Sequence, residues 1–284
     1  MKIWKCAVLG AASMLAAAAA AQDDEAAFDP VVSATVRVDA VSTGRHGTGW
    51  VIEGVDLQNR AGAAVIATSY NIIEGSSQIR VSEPGSPEPY LATVLGTDSD
   101  RNIAFLEVKD VKAHALTLTR TTPKVGRGVW ATGYSKTTDQ AEGPNRLAVN
   151  ASLKGGHLSR TLRGPVSKET RAPVDQIEHD ATLLPGFEGG PLVDHCARVV
   201  GMNMKSGAEV ARRKDLVIEA SAGVMNALNA DEVIKAANDK GVKIDVKDGD
   251  CGPGAAAATP AAAVAGPGDT QDGKASTTGQ TFGS

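Results

Sequence analysis

The sequence predicts an all-β fold of two six-stranded antiparallel β-barrels in tandem, followed by one helix and a disordered tail. Short runs of β-type residues, separated by Gly, Pro, Asn and Asp, recur from residue 31 to residue 225. Many short strands at this spacing are typical of a barrel or a sandwich, and about two hundred residues exceed one small barrel. The first run is Val31 to Val38, and the last is Leu216 to Ala220.

A single helix is predicted after the barrels, within a C-terminal extension of residues 226–251. Asn229 is an N-cap residue type, Glu232 stands at the capping-box position, and Gly241 can end the helix. Residues 252–284 consist mainly of Ala, Pro, Gly, Ser and Thr with almost no large apolar groups. Such a segment buries too little surface to offset its ordering entropy, so we expect a disordered tail.

The N-terminus has the pattern of a secretory signal peptide. Lys2 and Lys5 precede an apolar run from Cys6 to Ala21 that ends in Ala-x-Ala. This pattern predicts a signal peptide over residues 1–21, a linker over residues 22–30, and export to the periplasm or the exterior. The run is short and Ala-rich, and nothing downstream resembles a membrane span, so no span is expected.

The net charge of the chain limits the kinds of partner that it is expected to bind. The chain of 284 residues has a net charge of −4. Removal of Lys2 and Lys5 with the signal peptide leaves 27 basic and 33 acidic residues, a net charge of −6. This balance argues against nucleic-acid binding and against binding to anionic membranes.

Two cysteines remain after the signal peptide, Cys196 and Cys251. In an oxidising compartment such a pair predicts one disulfide, and two separate buried thiols are the alternative. The spacing of the histidines resembles no zinc motif, so the sequence predicts neither a metal site nor a cofactor.

Five stretches occur in an order that points to one family. The chain contains Gly-Thr-Gly-Trp-Val-Ile (47–52), Ala-Thr-Ser-Tyr-Asn-Ile-Ile (67–73), Gly-Thr-Asp-Ser-Asp-Arg-Asn-Ile-Ala-Phe-Leu (96–106), Val-Gly-Arg-Gly-Val-Trp-Ala-Thr-Gly (125–133), and Asp-Ala (180–181) with Gly-Phe-Glu-Gly-Gly-Pro-Leu-Val (186–193). Together they resemble the trypsin-like (chymotrypsin-fold) serine peptidases, and the HtrA-type members most closely. The resemblance covers residues 31–225 and implies a trypsin-like double β-barrel domain over that range.

The departures from the family pattern lie at its catalytic triad. The resemblance places Asn71 at the general base, Asn102 at the residue that orients it, and Glu188 at the nucleophile. The peptidase mechanism needs a hydroxyl, an imidazole that takes its proton, and a carboxylate that orients the imidazole. An Asn amide cannot accept and return that proton near neutral pH. We therefore expect that no intact catalytic residue remains at these positions.

The same resemblance implies two further parts of the peptidase site, an oxyanion-hole-like turn and a loop of the specificity pocket. The backbone amides of Gly186 and Glu188 are expected to form an oxyanion-hole-like turn. Either the Glu188 carboxylate or a neighbouring acid occupies that hole, or Glu188 points to solvent. Ser69 is expected to point elsewhere. A loop with Arg212, Arg213 and Lys214 corresponds to one that lines the specificity pocket; it either favours acidic ligands or is a solvated surface loop.

Three functions are compatible with these residues. The first is an exported, catalytically inactive peptidase homologue that binds a protein or peptide in the residual cleft or along a strand edge. The alternative is an active serine-type or other endopeptidase or hydrolase with relocated catalytic residues. The third is a purely structural envelope protein displayed through the 252–284 tail.

Overall fold

The computed structural model describes residues 28–54, 62–86, 88–135, 151–166, 172–204, 209–213, 216–220 and 223–251. The predicted signal peptide (1–21), residues 22–27 of the predicted linker and the predicted tail (252–284) lie outside the described residues. Across the described ranges, no helix combines the length and the apolar character needed to cross a membrane.

The first half of the chain closes into a six-stranded antiparallel barrel, as predicted. The strands follow the order β1-β2-β3-β6-β5-β4 around the barrel. Their bounds are β1 (Thr35–Ala40), β2 (Arg45–Val51), β3 (Ala63–Ser69), β4 (Ile79–Ser82), β5 (Tyr90–Asp98) and β6 (Ile103–Lys109).

The second half closes into another six-stranded barrel, in the order β10-β11-β14-β9-β8-β7. Its strands are β7 (Gly128–Gly133), β8 (Ser152–Gly164), β9 (Val174–His179), β10 (Pro191–Val193), β11 (Val199–Asn203) and β14 (Met225–Asn229). Two further strands, β12 (Glu209–Arg213) and β13 (Leu216–Ala220), pair only with each other. The barrel region thus extends to Asn229, four residues beyond the predicted limit.

Buried apolar side chains fill each barrel and connect the two. Val38, Ile66 and Leu106 belong to the core of the first barrel, and a separate cluster fills the second. A third cluster draws on both barrels and the C-terminal helix, with Trp50 and Phe105 from the first barrel, among others. Each large side chain buried in this way stabilises the fold by about 1.5–3 kcal/mol, so the third cluster holds the barrels together.

Three helices accompany the barrels in the described ranges: α1 (Asp29–Ala34), α2 (Tyr70–Ile73) and α3 (Ala230–Asp239). The predicted strand Val31 to Val38 is wrong in its first half, which forms α1. Proline is favourable in the first turn of a helix, and the Thr35 hydroxyl donates to the Val31 carbonyl at 2.7 Å, one turn back. These local interactions outweigh the strand propensity of the valines.

The predicted C-terminal helix is present, and its N-cap is confirmed. The Asn229 side chain accepts a hydrogen bond from the Asp231 amide at 2.9 Å. The capping-box prediction for Glu232 is wrong, because its carboxylate accepts instead from Arg101 Nε at 3.0 Å. The helix of the second half is thereby tied to the β5–β6 turn of the first barrel.

Residues 242–251 form a segment, here called the strap, that contacts both halves of the molecule. The Lys247 amide donates to the Leu118 carbonyl at 3.0 Å, and Lys247 Nζ lies 3.3 Å from Glu53 Oε2. The strap ends in a disulfide between Cys251 and Cys196, whose Cα atoms are 6.1 Å apart. The predicted disulfide is therefore confirmed.

Candidate functional site

The three triad-equivalent positions come together where the barrels meet. Asn71 lies in α2, directly after β3; Asn102 lies in the turn between β5 and β6; and Glu188 lies in the loop before β10. The Asn71 amide donates to Asn102 Oδ1 at 2.8 Å, and Asn102 Nδ2 lies 3.4 Å from Glu188 Oε1. The fold thus assembles the positions that the sequence pattern identified.

Asn102 is a buried organising residue of this site. Its side-chain oxygen accepts from the Asn71 amide, and its carbonyl accepts from the Tyr70 amide at 3.1 Å. Asn102 has a φ of 56°, a left-handed conformation that asparagine adopts more readily than most residues. The Asn102 side chain therefore fixes the backbone at residue 71 and carries no charge.

The Asn71 side chain takes no part in this network. Residue 71 is exposed, and no side-chain hydrogen bond to it occurs within the described ranges. Only its backbone amide contributes, through Asn102. The general-base position is therefore connected to the site through the backbone alone.

Ser69 is a site residue that the sequence analysis missed. It is fully buried at the end of β3, and its hydroxyl lies 2.8 Å from Glu188 Oε1 and 3.0 Å from Asn102 Oδ1. The expectation that Ser69 points elsewhere is wrong. The hydroxyl has one proton to share between these two acceptors, so it links the nucleophile and orienting positions directly.

Glu188 therefore follows neither of the two predicted orientations. The carboxylate of the half-buried Glu188 contacts Ser69 and Asn102 and accepts no hydrogen bond from the Gly186 or Glu188 amides among the described residues. A charged acceptor is stabilised by the buried hydroxyl and the amide more strongly than a neutral one. This contact joins the second barrel to the first.

The loop that carries Glu188 is fixed against the first barrel by Thr48. The Thr48 amide donates to the Glu188 carbonyl at 2.9 Å, and Thr48 Oγ1 donates to the Gly186 carbonyl at 2.7 Å. Gly189 has a φ of 82°, and a Cβ atom there would lie 2.7 Å from the Ser69 amide nitrogen. Only glycine fits this close approach, which explains the glycine at position 189.

The amides of Gly186 and Glu188 are the predicted oxyanion-hole donors, and this role stays a prediction. Neither amide donates to an acceptor within the described part of the chain. Most of the predicted pocket loop lies outside the described residues. Arg212 and Arg213 end β12, but their side chains and all of Lys214 are among the parts that the structure does not describe.

His179 lies in the second barrel, at the end of β9. It is fully buried, and burial lowers the pKa of His179 to about 4, against smaller opposing effects of the Asp180 charge and the Ala181 backbone. Its strand partners are Leu158 and Met225. A neutral, buried imidazole in this place is a core residue, and no contact connects it with Glu188 in the described structure.

One group of side chains in the described residues has the composition of a metal site. Side-chain donor atoms of His195, Cys196 and Cys251 lie within 4.8 Å of one another. The two sulfur atoms are joined in the disulfide. The sequence showed no such site, because Cys251 is 55 residues from Cys196 in the chain.

The side chains at the three positions are two amides and one carboxylate. The buried Ser69 hydroxyl contacts the Glu188 carboxylate. A carboxylate is a weaker base than imidazole toward a hydroxyl.

Comparison with known proteins agrees with the double-barrel fold. Residues 47–202, more than half of the chain, match the trypsin-like peptidase domain family. The chain therefore belongs to the trypsin-like peptidase family.

Its relatives are of the HtrA or Do type. It is similar to Protease Do-like 1, chloroplastic, of Arabidopsis thaliana, with 29% identity over 175 residues, 57% of this chain and 36% of that protein. It is also similar to Serine protease Do-like HtrA of Bacillus subtilis, with 29% identity over 161 residues, 53% of this chain and 32% of that protein. The chain thus spans about a third of the length of these relatives.

A solved structure shows the same fold. The active form of the Rv3671c protease from M. tuberculosis superimposes with a TM-score of 0.58 at 20% identity, over 78% of this chain and 86% of that one.

Proposed function

We propose that this chain is an exported, non-cleaving member of the trypsin-like peptidase family that acts by binding a protein or a peptide. One observation carries the proposal. At the nucleophile position the Glu188 carboxylate is hydrogen-bonded to Ser69 and Asn102, while the side chain at the general-base position, Asn71, is exposed and unconnected to it. The chemistry of the triad is absent although its frame is intact.

Loss of all three triad functions lowers turnover about a millionfold and leaves only binding and oxyanion stabilisation. Glu188 does not replace the hydroxyl, because attack of a carboxylate on a peptide bond would form an anhydride and expel a poor leaving group. The non-cleaving proposal therefore rests on the chemical nature of the substituents and not on a distorted fold.

Binding is supported by the fixed junction between the two barrels. Thr48 fixes the Glu188 loop on the first barrel, and the third apolar cluster holds the barrels together. A junction held in this way presents a preorganised surface, which lowers the entropic cost of binding. An extended peptide would bind in the cleft or pair with an exposed strand edge. Export is supported by the N-terminal signal pattern.

A hydrolase with relocated residues is the second candidate, favoured by the distance of 2.8 Å between Ser69 Oγ and Glu188 Oε1. That distance is compatible with a nucleophile and its base. The burial of Ser69 opposes this candidate, because a substrate carbonyl has no access to the hydroxyl.

An activity assay separates the two candidates. The chain is incubated with unfolded casein and with a fluorophosphonate probe, in parallel with the Ser69→Ala variant. We expect no cleavage and no labelling for either protein. Cleavage or labelling that disappears in Ser69→Ala would establish the relocated hydrolase.

A binding assay tests the positive half of the proposal. Peptides that cover unfolded envelope proteins are screened by fluorescence anisotropy against the chain and against Asn71→Trp, which adds bulk at an exposed position of the cleft. Leu91→Trp is the matched control, because Leu91 is 67% exposed on β5. We expect Asn71→Trp to weaken binding about tenfold or more, with no change in the control. Failure of every peptide to bind would favour the purely structural protein.

A further inference from the structure

The turn between β10 and β11 carries two potential metal ligands, and the strap brings a third. His195 and Cys196 lie in this turn, Cys251 ends the strap, and all three residues are half-buried. Their donor atoms lie within 4.8 Å of one another. Thiolate sulfur and imidazole nitrogen are the ligands that Zn²⁺ prefers in structural sites.

A tetrahedral site needs the two sulfur atoms farther apart than they are in the disulfide. Bonds of about 2.3 Å to sulfur and about 2.0 Å to nitrogen place tetrahedral donors about 3.5–3.8 Å apart. The Cα atoms of the two cysteines are 6.1 Å apart. Rotation of the side chains alone can therefore change the sulfur atoms from a bonded pair into two ligands of one ion.

Two of the three ligands lie on a turn that is fixed without the disulfide. The Asp194 carboxylate accepts from the amides of Cys196 and Arg198, both at 3.0 Å. Arg198 Nη2 lies 2.7 Å from the same carboxylate, whose side chain is only 3% exposed. This buried ion pair holds the turn in one conformation.

The third ligand is also held by contacts other than the disulfide. Arg198 Nη1 donates to the Gly249 carbonyl at 2.9 Å, and the Arg120 amide donates to Asp248 Oδ1 at 2.7 Å. Together with the Lys247–Leu118 hydrogen bond, these contacts keep the strap in place. Reduction of the disulfide therefore leaves Cys251 beside Cys196.

We propose that the reduced form of this chain binds one Zn²⁺ ion, or a similar thiophilic divalent ion, through His195, Cys196 and Cys251, with water as the fourth ligand. A dithiol reductant supplies two electrons and two protons to the disulfide and is itself oxidised to a disulfide. Metal binding then displaces the two thiol protons. The disulfide and the metal site are thus alternative anchors for the same strap, and a metal binds only in the reduced form.

The test uses the full chain with Cys6→Ser, so that Cys196 and Cys251 are its only thiols. The protein is reduced with dithiothreitol, freed of reductant anaerobically, and titrated with Co²⁺ as a spectroscopic probe. We expect thiolate-to-cobalt charge-transfer absorption and the visible bands of tetrahedral cobalt, saturating at one equivalent and displaced by Zn²⁺. The oxidised protein should show none of these bands.

Variants assign the ligands. His195→Ala should weaken Co²⁺ binding about tenfold or more, and Cys196→Ser and Cys251→Ser should each abolish it. His114→Ala, which replaces an exposed histidine elsewhere, is the control and should leave Co²⁺ binding unchanged. Circular dichroism of the reduced protein accompanies each titration. If reduction unfolds the chain, Zn²⁺ should restore the fold in the parent and not in His195→Ala. Absence of Co²⁺ bands, or equal affinity in His195→Ala, would overturn the proposal.

Discussion

Protonation of His179 should make the stability of this fold depend on pH in a defined window. The imidazole is fully buried in the second barrel, and burial lowers its pKa to about 4. In the unfolded chain the same group has its ordinary pKa of about 6.5. The unfolded state therefore binds a proton at higher pH than the folded state does.

The sign and size of the effect follow from this difference. Above pH 6.5 neither state is protonated at His179, and its contribution to stability is fully present. As the pH falls from 6.5 toward 4, the unfolded state is stabilised by about 1.4 kcal/mol for each pH unit, so that about 3 kcal/mol is lost in total. Below pH 4 both states are protonated and this loss stops growing.

The assay is urea unfolding at a series of pH values between 7.5 and 3.5, for the parent chain and for His179→Leu. Carboxylates also titrate in this range, so the informative quantity is the difference between the two proteins. We expect the parent to lose about 3 kcal/mol more than the variant between pH 7 and pH 4. His179→Gln provides the same comparison if the leucine variant folds poorly, and His114→Ala controls for loss of an exposed histidine. Parallel stability curves for parent and variants would refute the reasoning.

Three further perturbations test the structural basis of the site, each by urea unfolding at pH 7.5. Glu188→Ala should lower the free energy of unfolding by about 1–3 kcal/mol, because it removes a charged acceptor from Ser69. Glu188→Gln should lower it less, because the amide oxygen still accepts. Equal losses in the two variants would contradict the charged hydrogen bond. Gly189→Ala should lower the free energy of unfolding by more than about 2 kcal/mol, since the backbone is left-handed and the added Cβ meets the Ser69 amide. An unchanged urea midpoint would contradict the close packing of residue 189 against Ser69. Replacing Cys196 and Cys251 together by Ala, in the absence of metal, should lower the free energy of unfolding by about 4 kcal/mol. The cause is the entropy that the unfolded chain regains when a loop spanning 55 residues is opened. A loss near zero would mean that the other contacts of the strap restrain the chain without the disulfide.

The fold could be predicted from the sequence because strand runs and turn residues are encoded locally. The family resemblance singled out Asn71, Asn102 and Glu188, and the structure brings these three residues together. The first half of the Val31 to Val38 run was misassigned, because Pro30 and the Thr35 hydroxyl favour a helical turn over the strand propensity of valine.

The contacts within the site could not be predicted, because they depend on how the barrels pack. Ser69 is the last residue of a strand in the first barrel, and Glu188 lies on a loop of the second, 119 residues away. Strand alternation suggested that Ser69 points elsewhere, but the chain turns into α2 directly after it. The same holds for the His195 cluster, since Cys251 reaches Cys196 only through the course of the strap.

The measurement that most directly tests the central claim is a peptidase assay on unfolded casein. The assayed protein is the triple variant Asn71→His, Asn102→Asp, Glu188→Ser, and the controls are the parent chain and the three single variants. The claim is that the frame is intact and that three side chains account for the missing chemistry. Triad members act as a unit, so we expect activity in the triple variant and none in the parent or the single variants. A silent triple variant that is folded by circular dichroism, or cleavage by the parent chain, would contradict it.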